Sequence, residues 1–201
     1  KGYDEMKLKN DKTLNIALTA VFACIVFVLS YLGSFVHIGA ISFALTLIPI
    51  VLGGIYIGPW AGAFLGAVFG LTVLFTDVTA LALLSINWFY AFLGCVVRGV
   101  IAGWLPAFVF KIAAKKSETV GAVVASVLAP IINTGIFSLC VFTIFEPYFT
   151  DLGQTLGYLD LGHFVLVGLI GLNFVFEFLT TVVITPVLAK PLLALKKRME
   201  R

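Results

Sequence analysis

Arg98 is the residue that most limits what this chain can become. It sits in Asn87–Phe110, NWFYAFLGCVVRGVIAGWLPAFVF, where no other charge occurs over more than twenty positions. About 20 apolar residues are what an α-helix needs to cross a bilayer. An arginine at the centre of such a helix costs at least about 2.5–3.5 kcal/mol on insertion scales, so it is expected to face a partner, a cavity or a ligand. The chain as a whole is 61% hydrophobic and 11% charged, with a mean hydropathy of +1.13. A soluble domain carries about 25% charge. These values point to an integral membrane protein. The alternating ten-residue segments of a membrane barrel are missing, so the expected fold is all-α.

The apolar runs predict six transmembrane helices in a compact bundle: Thr13–Gly33, Ile41–Ile57, Trp60–Thr76, Asn87–Phe110, Thr119–Phe145 and His163–Leu188. Gly58-Pro59 is a turn signal between the second and third. Asp77–Ser85 is expected to form a short helix over the site, and Glu146–Gly162 is the longest connection. Residues 1–12 are expected to form a cytoplasmic lead-in, with 1–5, before Met6, set aside as an expression scar. Residues 13–188 make the transmembrane domain and 189–201 a basic cytoplasmic tail. No signal-peptide cleavage site is visible, so the first run is expected to stay as a helix.

Of the 13 Lys and Arg, all but Arg98 lie in the lead-in, the fourth-to-fifth loop or the tail. With six spans these places share one side, which the positive-inside rule makes cytoplasmic, both termini included. The loops on the other side hold Asp77, Glu146, Asp151 and Asp160 and no Lys or Arg. The second-to-third turn is uncharged and fits either side. Merging those two spans would put the basic termini on opposite sides.

Arg98 precedes Lys111, and Glu177 precedes Lys190, by the same number of residues. At 1.5 Å per residue each lies about 20 Å from the cytoplasmic end, slightly past the middle of a roughly 30 Å core. Two readings stand. The pair is a structural ion bridge between spans four and six, or one or both members line a polar pocket open to the outer side. Asn133 falls at similar depth, just after Pro130, which frees a backbone carbonyl; Gly135 allows a neighbour or ligand to approach. Asn173 shares a helix face with Glu177. Asn87, Trp88 and Tyr90 open span four on the outer side. Each asparagine has interhelical hydrogen bonding as its alternative role, and Trp88 and Tyr90 have the interfacial aromatic belt. Spans four to six supply polar groups to the outer half, whereas spans one to three supply almost none. Asn87, Trp88, Tyr90, Arg98, Asn133, Phe137, Asn173 and Glu177 are therefore the candidate substrate-binding residues.

Thr19/Ala23 and Ala20/Cys24 are small-xxx-small pairs, and Gly62, Gly66 and Gly70 form a longer run; such spacing lets helices approach closely. The glycine run is expected to pack within the chain, and the first span either to pack or to dock on another membrane protein. No GxSxG, HExxH, intramembrane GxGD or Walker sequence occurs. No catalytic residue, cofactor or metal is expected, and the chain cannot hydrolyse ATP. His37 and His163 fall at or near outer span ends. Cys24, Cys95 and Cys140 lie in apolar runs without a CxxC pair. No inverted repeat is detectable, which argues against a self-sufficient secondary transporter.

Three segments carry a resemblance: Thr13–Ala23, TLNIALTAVFA; Ile48–Gly70, IPIVLGGIYIGPWAGAFLGAVFG; and Ala129–Phe137, APIINTGIF. In order and spacing they resemble the first, the second and third, and the fifth helices of the substrate-binding S-components of energy-coupling factor (ECF) vitamin transporters. The resemblance covers nearly the whole chain. It implies a non-catalytic subunit that captures a water-soluble vitamin with high affinity from outside. The site would lie between the outer ends of helices four, five and six and the loops joining one to two, three to four and five to six. The implied partners are an ECF transmembrane coupling subunit and two cytoplasmic ATPase subunits, in the plasma membrane of a prokaryote. Release inside is expected by toppling of the whole subunit. The family's AxxxA-type docking motif on helix one is represented by Thr19/Ala23 or Ala20/Cys24. Arg98, the sole deep cation, suits a ligand carboxylate, while Asn133, Asn173 and Glu177 suit hydroxyl or amide groups. Pantothenate is the expected substrate, with riboflavin next, then a cobalamin-type or other vitamin. The rival classes are a structural or assembly protein, which predicts Arg98 paired with Glu177 and no cavity, and a membrane enzyme, for which no nucleophile–base pair exists at depth. No nucleic-acid partner is expected.

Overall fold

A computed structural model describes residues 2–34, 37–38, 41–42 and 45–199. Helix α1 (Gly2–Gly33) leads to a short antiparallel ladder of β1 (His37–Ile38) and β2 (Ile41–Ser42). Next come α2 (Leu47–Tyr56), α3 (Pro59–Thr76) and α4 (Val78–Ile86). The fourth span is α5 (Trp88–Phe92), a π-helical stretch Leu93–Val97, and α6 (Arg98–Ala113). Then follow α7 (Glu118–Thr143), α8 (Glu146–Thr155), α9 (Leu161–His163), a second π-helical stretch Phe164–Leu169, and α10 (Gly171–Met199). The lead-in is continuous with the first span, and most of the basic tail continues α10.

Among the described residues, five stretches are long and apolar enough to cross a membrane: Lys12–Gly33, Pro59–Thr76, Trp88–Ala113, Glu118–Thr143 and Asn173–Arg198. The remaining apolar segment is α2. The run expected over Ile41–Ile57 is divided between β2 and this 10-residue helix. At about 15 Å, α2 is half the thickness of the hydrocarbon core. It need not match the bilayer, because every one of its residues is buried in protein. The expected loop Ser34–Ala40 lies in part outside the described residues.

Two contacts settle the side of the uncharged turn. Lys196 Nζ donates to Tyr56 O at 2.7 Å, and Lys197 Nζ pairs with Glu118 Oε2 at 2.9 Å. The end of α2, the start of α7 and the end of α10 therefore share the basic side. On the opposite side Ser34 Oγ and Thr76 Oγ1 lie 2.8 Å apart, tying the ends of α1 and α3. The chain thus crosses between Ser34 and Tyr56, which keeps both basic ends together. The reversal after α2 uses Gly58 at φ +141°, a value few residues but glycine adopt, followed by Pro59 at the first helical position. Ser117 caps α7 by accepting from Val120 N, and Asp77 caps α4 by accepting from Ala80 N at 2.9 Å.

Helices α3 and α6 meet backbone to backbone. Gly62 and Gly66 of α3 face Gly103 and Gly99 of α6, and Gly70 faces Cys95 and Val96. The glycine run therefore packs within the chain, against a second small-xxx-small pair in the same span as Arg98. This contact sets the rotation of α6, and so the direction in which Arg98 leaves it. One apolar cluster surrounds α2, with Ile50, Val51, Leu65 and Phe110. Another gathers Leu83, Val141, Phe149 and Phe164.

Candidate functional site

A cavity of about 430 Å³ lies between the two clusters. Its floor is polar: Arg98 from the start of α6, Asn133 from α7, and Asn173 and Glu177 from α10. Its walls include Phe69 of α3 and Phe137 of α7, and its upper side Thr79 and Leu83 of α4 with Leu152 of α8. Helix α4 occupies the place expected for a short helix over the site.

Arg98, Asn133 and Glu177 are each more than nine-tenths buried. Arg98 and Glu177 do not form the ion pair that one reading expected. Among the described residues no carboxylate lies within ion-pair distance of the guanidinium. Its Nε is buried without a hydrogen-bond partner. Instead, the guanidinium carbon lies 5.1 Å from the ring centroid of Phe137 and 5.9 Å from that of Phe69. Cation–π attraction offsets part of its desolvation, by about 2 kcal/mol at buried sites, but offers no acceptor for its N–H groups. Glu177 takes Asn133 Nδ2, at 3.5 Å from each carboxylate oxygen. At that length neither bond is strong, and Asn133 Oδ1 is itself buried without a partner. The floor thus presents a cationic donor, an anionic acceptor and an amide carbonyl. Leaving such groups unmet costs about 1–3 kcal/mol each, more when charged. A ligand with an acceptor for Arg98 and a donor for Asn133 or Glu177 would recover that cost.

Of the candidate residues, Arg98, Asn133, Phe137, Asn173 and Glu177 are brought together on the cavity. Asn87, Trp88 and Tyr90 are not. Asn87 Oδ1 caps α5, accepting from Phe89 N and Tyr90 N at 3.2 and 3.3 Å, and Trp88 and Tyr90 are exposed. Their placement suits the aromatic belt. Gly135 faces outward with nothing within 4 Å of a Cβ built there, so it provides no close approach. Spans one to three contribute more than expected. Ser30 and Ser34 at the end of α1, Thr46 before α2 and Phe69 line the cavity too. The hydroxyls gave no sequence signal, because Ser and Thr in apolar helices satisfy themselves locally; Ser30 Oγ donates to Val26 O at 2.7 Å. Both π-helical stretches border the cavity, through Cys95 and through Phe164, Gly168 and Leu169. Such stretches concentrate at functional sites.

Fold and cavity together define a multi-pass, all-helical membrane protein with a buried polar site of small-molecule size. The family model for the ECF transporter substrate-specific component matches residues 14–189, and the chain belongs to that family. It is accordingly a substrate-binding membrane subunit rather than an enzyme. No curated protein and no solved structure matches the chain.

Proposed function

We propose that this subunit captures a water-soluble vitamin bearing a carboxylate, pantothenate in first place, from the outer side of a prokaryotic plasma membrane. It passes the vitamin inward with an ECF transmembrane coupling subunit and two cytoplasmic ATPase subunits. The observation that carries this reading is Arg98, buried on the cavity floor with its Nε unpartnered. A guanidinium takes a carboxylate through two parallel hydrogen bonds. Pantothenate has one carboxylate, two hydroxyls and one amide, which suit Arg98, Glu177 and the Asn133 amide in turn. A cavity of about 430 Å³ falls within the range of about 300–1,000 Å³ common for small-molecule sites. Calorimetric titration of the purified protein over a vitamin panel tests this. Pantothenate is expected to bind most tightly. Preference for riboflavin would keep the role and change the substrate, and absence of binding to any vitamin would sink the proposal.

We infer a docking face on α1 that exposure supports. Ala23 packs against the core cluster and Thr19 is half-buried, its Oγ1 bonded to Asn15 O at 2.7 Å. Ala20 and Cys24 are exposed on the other edge of α1. The coupling subunit therefore docks on the Ala20/Cys24 edge, where small residues allow close helix contact. Ala20→Trp is expected to remove most of the coupling subunit that co-purifies with this chain while leaving vitamin affinity intact. Undiminished co-purification would place docking elsewhere.

A further inference from the structure

Two helices cover the cavity on its outer side, and their outward faces differ. On α8, Glu146, Asp151, Gln154 and Thr155 are exposed while Phe149 and Gly153 are buried. That is how a helix divides between core and water. On α4, Ala80 and Leu83 are buried and, with Thr79, line the cavity. The outward residues of α4 are Val78, Leu81, Ser85 and Ile86. Ser85 is the one polar side chain among them, and its Oγ donates to Ala82 O at 2.7 Å. α4 is therefore apolar on both faces, and a helix apolar all round belongs in protein or in lipid.

Its neighbours give α4 a height. α3 has 18 residues, about 27 Å at 1.5 Å each, against a hydrocarbon core of roughly 30 Å. It begins just after Tyr56, whose carbonyl accepts from Lys196 at the basic edge. α3 therefore ends near the outer edge of the hydrocarbon, and Asp77 alone separates it from α4. The other end of α4 lies almost level with the first. Gly70 faces Cys95 and Val96. Counted along each helix from that contact, Thr76 is about 9 Å and Trp88 about 12 Å further out. α4 thus runs along the membrane edge rather than away from it. Phe75 before it and Trp88 and Phe89 after it are exposed, so its outward face adjoins the apolar surface of the two spans it connects.

We propose that α4 is seated in the outer leaflet, with Val78, Leu81 and Ile86 on lipid and Ala80 and Leu83 on the cavity. Of the two helices that cover the site, α4 then meets the membrane and α8 meets water. The inference rests on the chain spanning a membrane and is independent of which vitamin binds.

Nitroxide labels test it in ligand-free full-length protein in phosphatidylcholine nanodiscs. They are placed singly by Val78→Cys, Leu81→Cys and Ile86→Cys, with Cys24, Cys95 and Cys140 replaced by alanine. Exposed positions on α10 (Val183→Cys) and α8 (Asp151→Cys) supply the lipid and water references. Collision with oxygen relative to a water-soluble nickel chelate is expected to be several-fold higher at the three α4 sites than at Asp151→Cys, and below Val183→Cys. A ratio equal to that of Asp151→Cys places α4 in water and overturns the proposal. Exclusion of both reagents means that a second copy of the chain covers the face, and overturns it equally. The unaltered protein gives a second readout in nanodiscs that contain a phosphatidylcholine with a photoreactive acyl chain. Lipid adducts within residues 78–86 are expected; adducts on α3 with none on α4 overturn the proposal.

Discussion

Arg98→Ala is expected to weaken binding of an acidic vitamin by roughly 30-fold to several thousand-fold. Truncating one partner of a buried charge pair costs about 2–5 kcal/mol, and each 1.4 kcal/mol is a factor of ten. The ligand-free protein is expected to respond differently. Arg98 has no ion-pair partner among the described residues, and its Nε is unmet. Its removal relieves a desolvated charge, so the thermal midpoint of the ligand-free protein should hold or rise. Arg98→Lys keeps the charge but not the two-pronged geometry, and is expected to fall between the two in affinity. Calorimetry and thermal unfolding of the three proteins check this. A structural arginine would lower the midpoint along with affinity. Unchanged affinity in Arg98→Ala removes the carboxylate clamp even with the family assignment intact. This combination, less binding without less stability, is what a site held ready at the expense of stability produces.

The sidedness of the fold was legible because lipid enforces it. Lys and Arg cannot hide in hydrocarbon, so their positions alone divide the loops. The common depth of Arg98 and Glu177 followed from counting back to Lys111 and Lys190, since α6 and α10 run on from them without interruption. That Asn87, Trp88 and Tyr90 lie off the cavity was not legible, and the reason lies between them and Arg98. The π-helical stretch Leu93–Val97 holds an extra residue in its turn, which shifts the helix phase by about 100°. A constant 3.6-residue period cannot say which face of α5 continues that of α6. The length of α2 was hidden for another reason. Its surroundings are as apolar as lipid, so a buried 10-residue helix and a full span leave the same hydrophobic trace. The missing Arg98–Glu177 pair is a third case. Depth brought the two level, but only the rotation imposed on α6 by Gly99 and Gly103 decides where the guanidinium points.

That rotation makes Gly66 the most exacting position away from the cavity. A Cβ there would lie 2.6 Å from the Gly99 carbonyl carbon and 3.1 Å from Val100 N, both backbone atoms that no rotamer change can move. α3 and α6 would have to part. Overpacking of this kind costs about 1–3 kcal/mol, and at about 2–4 °C per kcal/mol Gly66→Ala is expected to lower the thermal midpoint by several degrees. Gly66→Leu is expected to yield little folded protein. Because Arg98 is the residue before Gly99, separation of the helices moves the guanidinium relative to Asn133 and Glu177. Vitamin affinity of the Gly66→Ala protein is therefore expected to fall at temperatures where it is still fully folded. Gly135→Ala supplies the contrast: nothing lies within 4 Å of its Cβ, and alanine favours helix by about 1 kcal/mol. Its midpoint should hold or rise and its affinity remain unchanged. Equal behaviour of the two variants would mean that the α3–α6 glycine contact does not position Arg98, leaving its direction to the aromatic rings of Phe69 and Phe137 that lie over it.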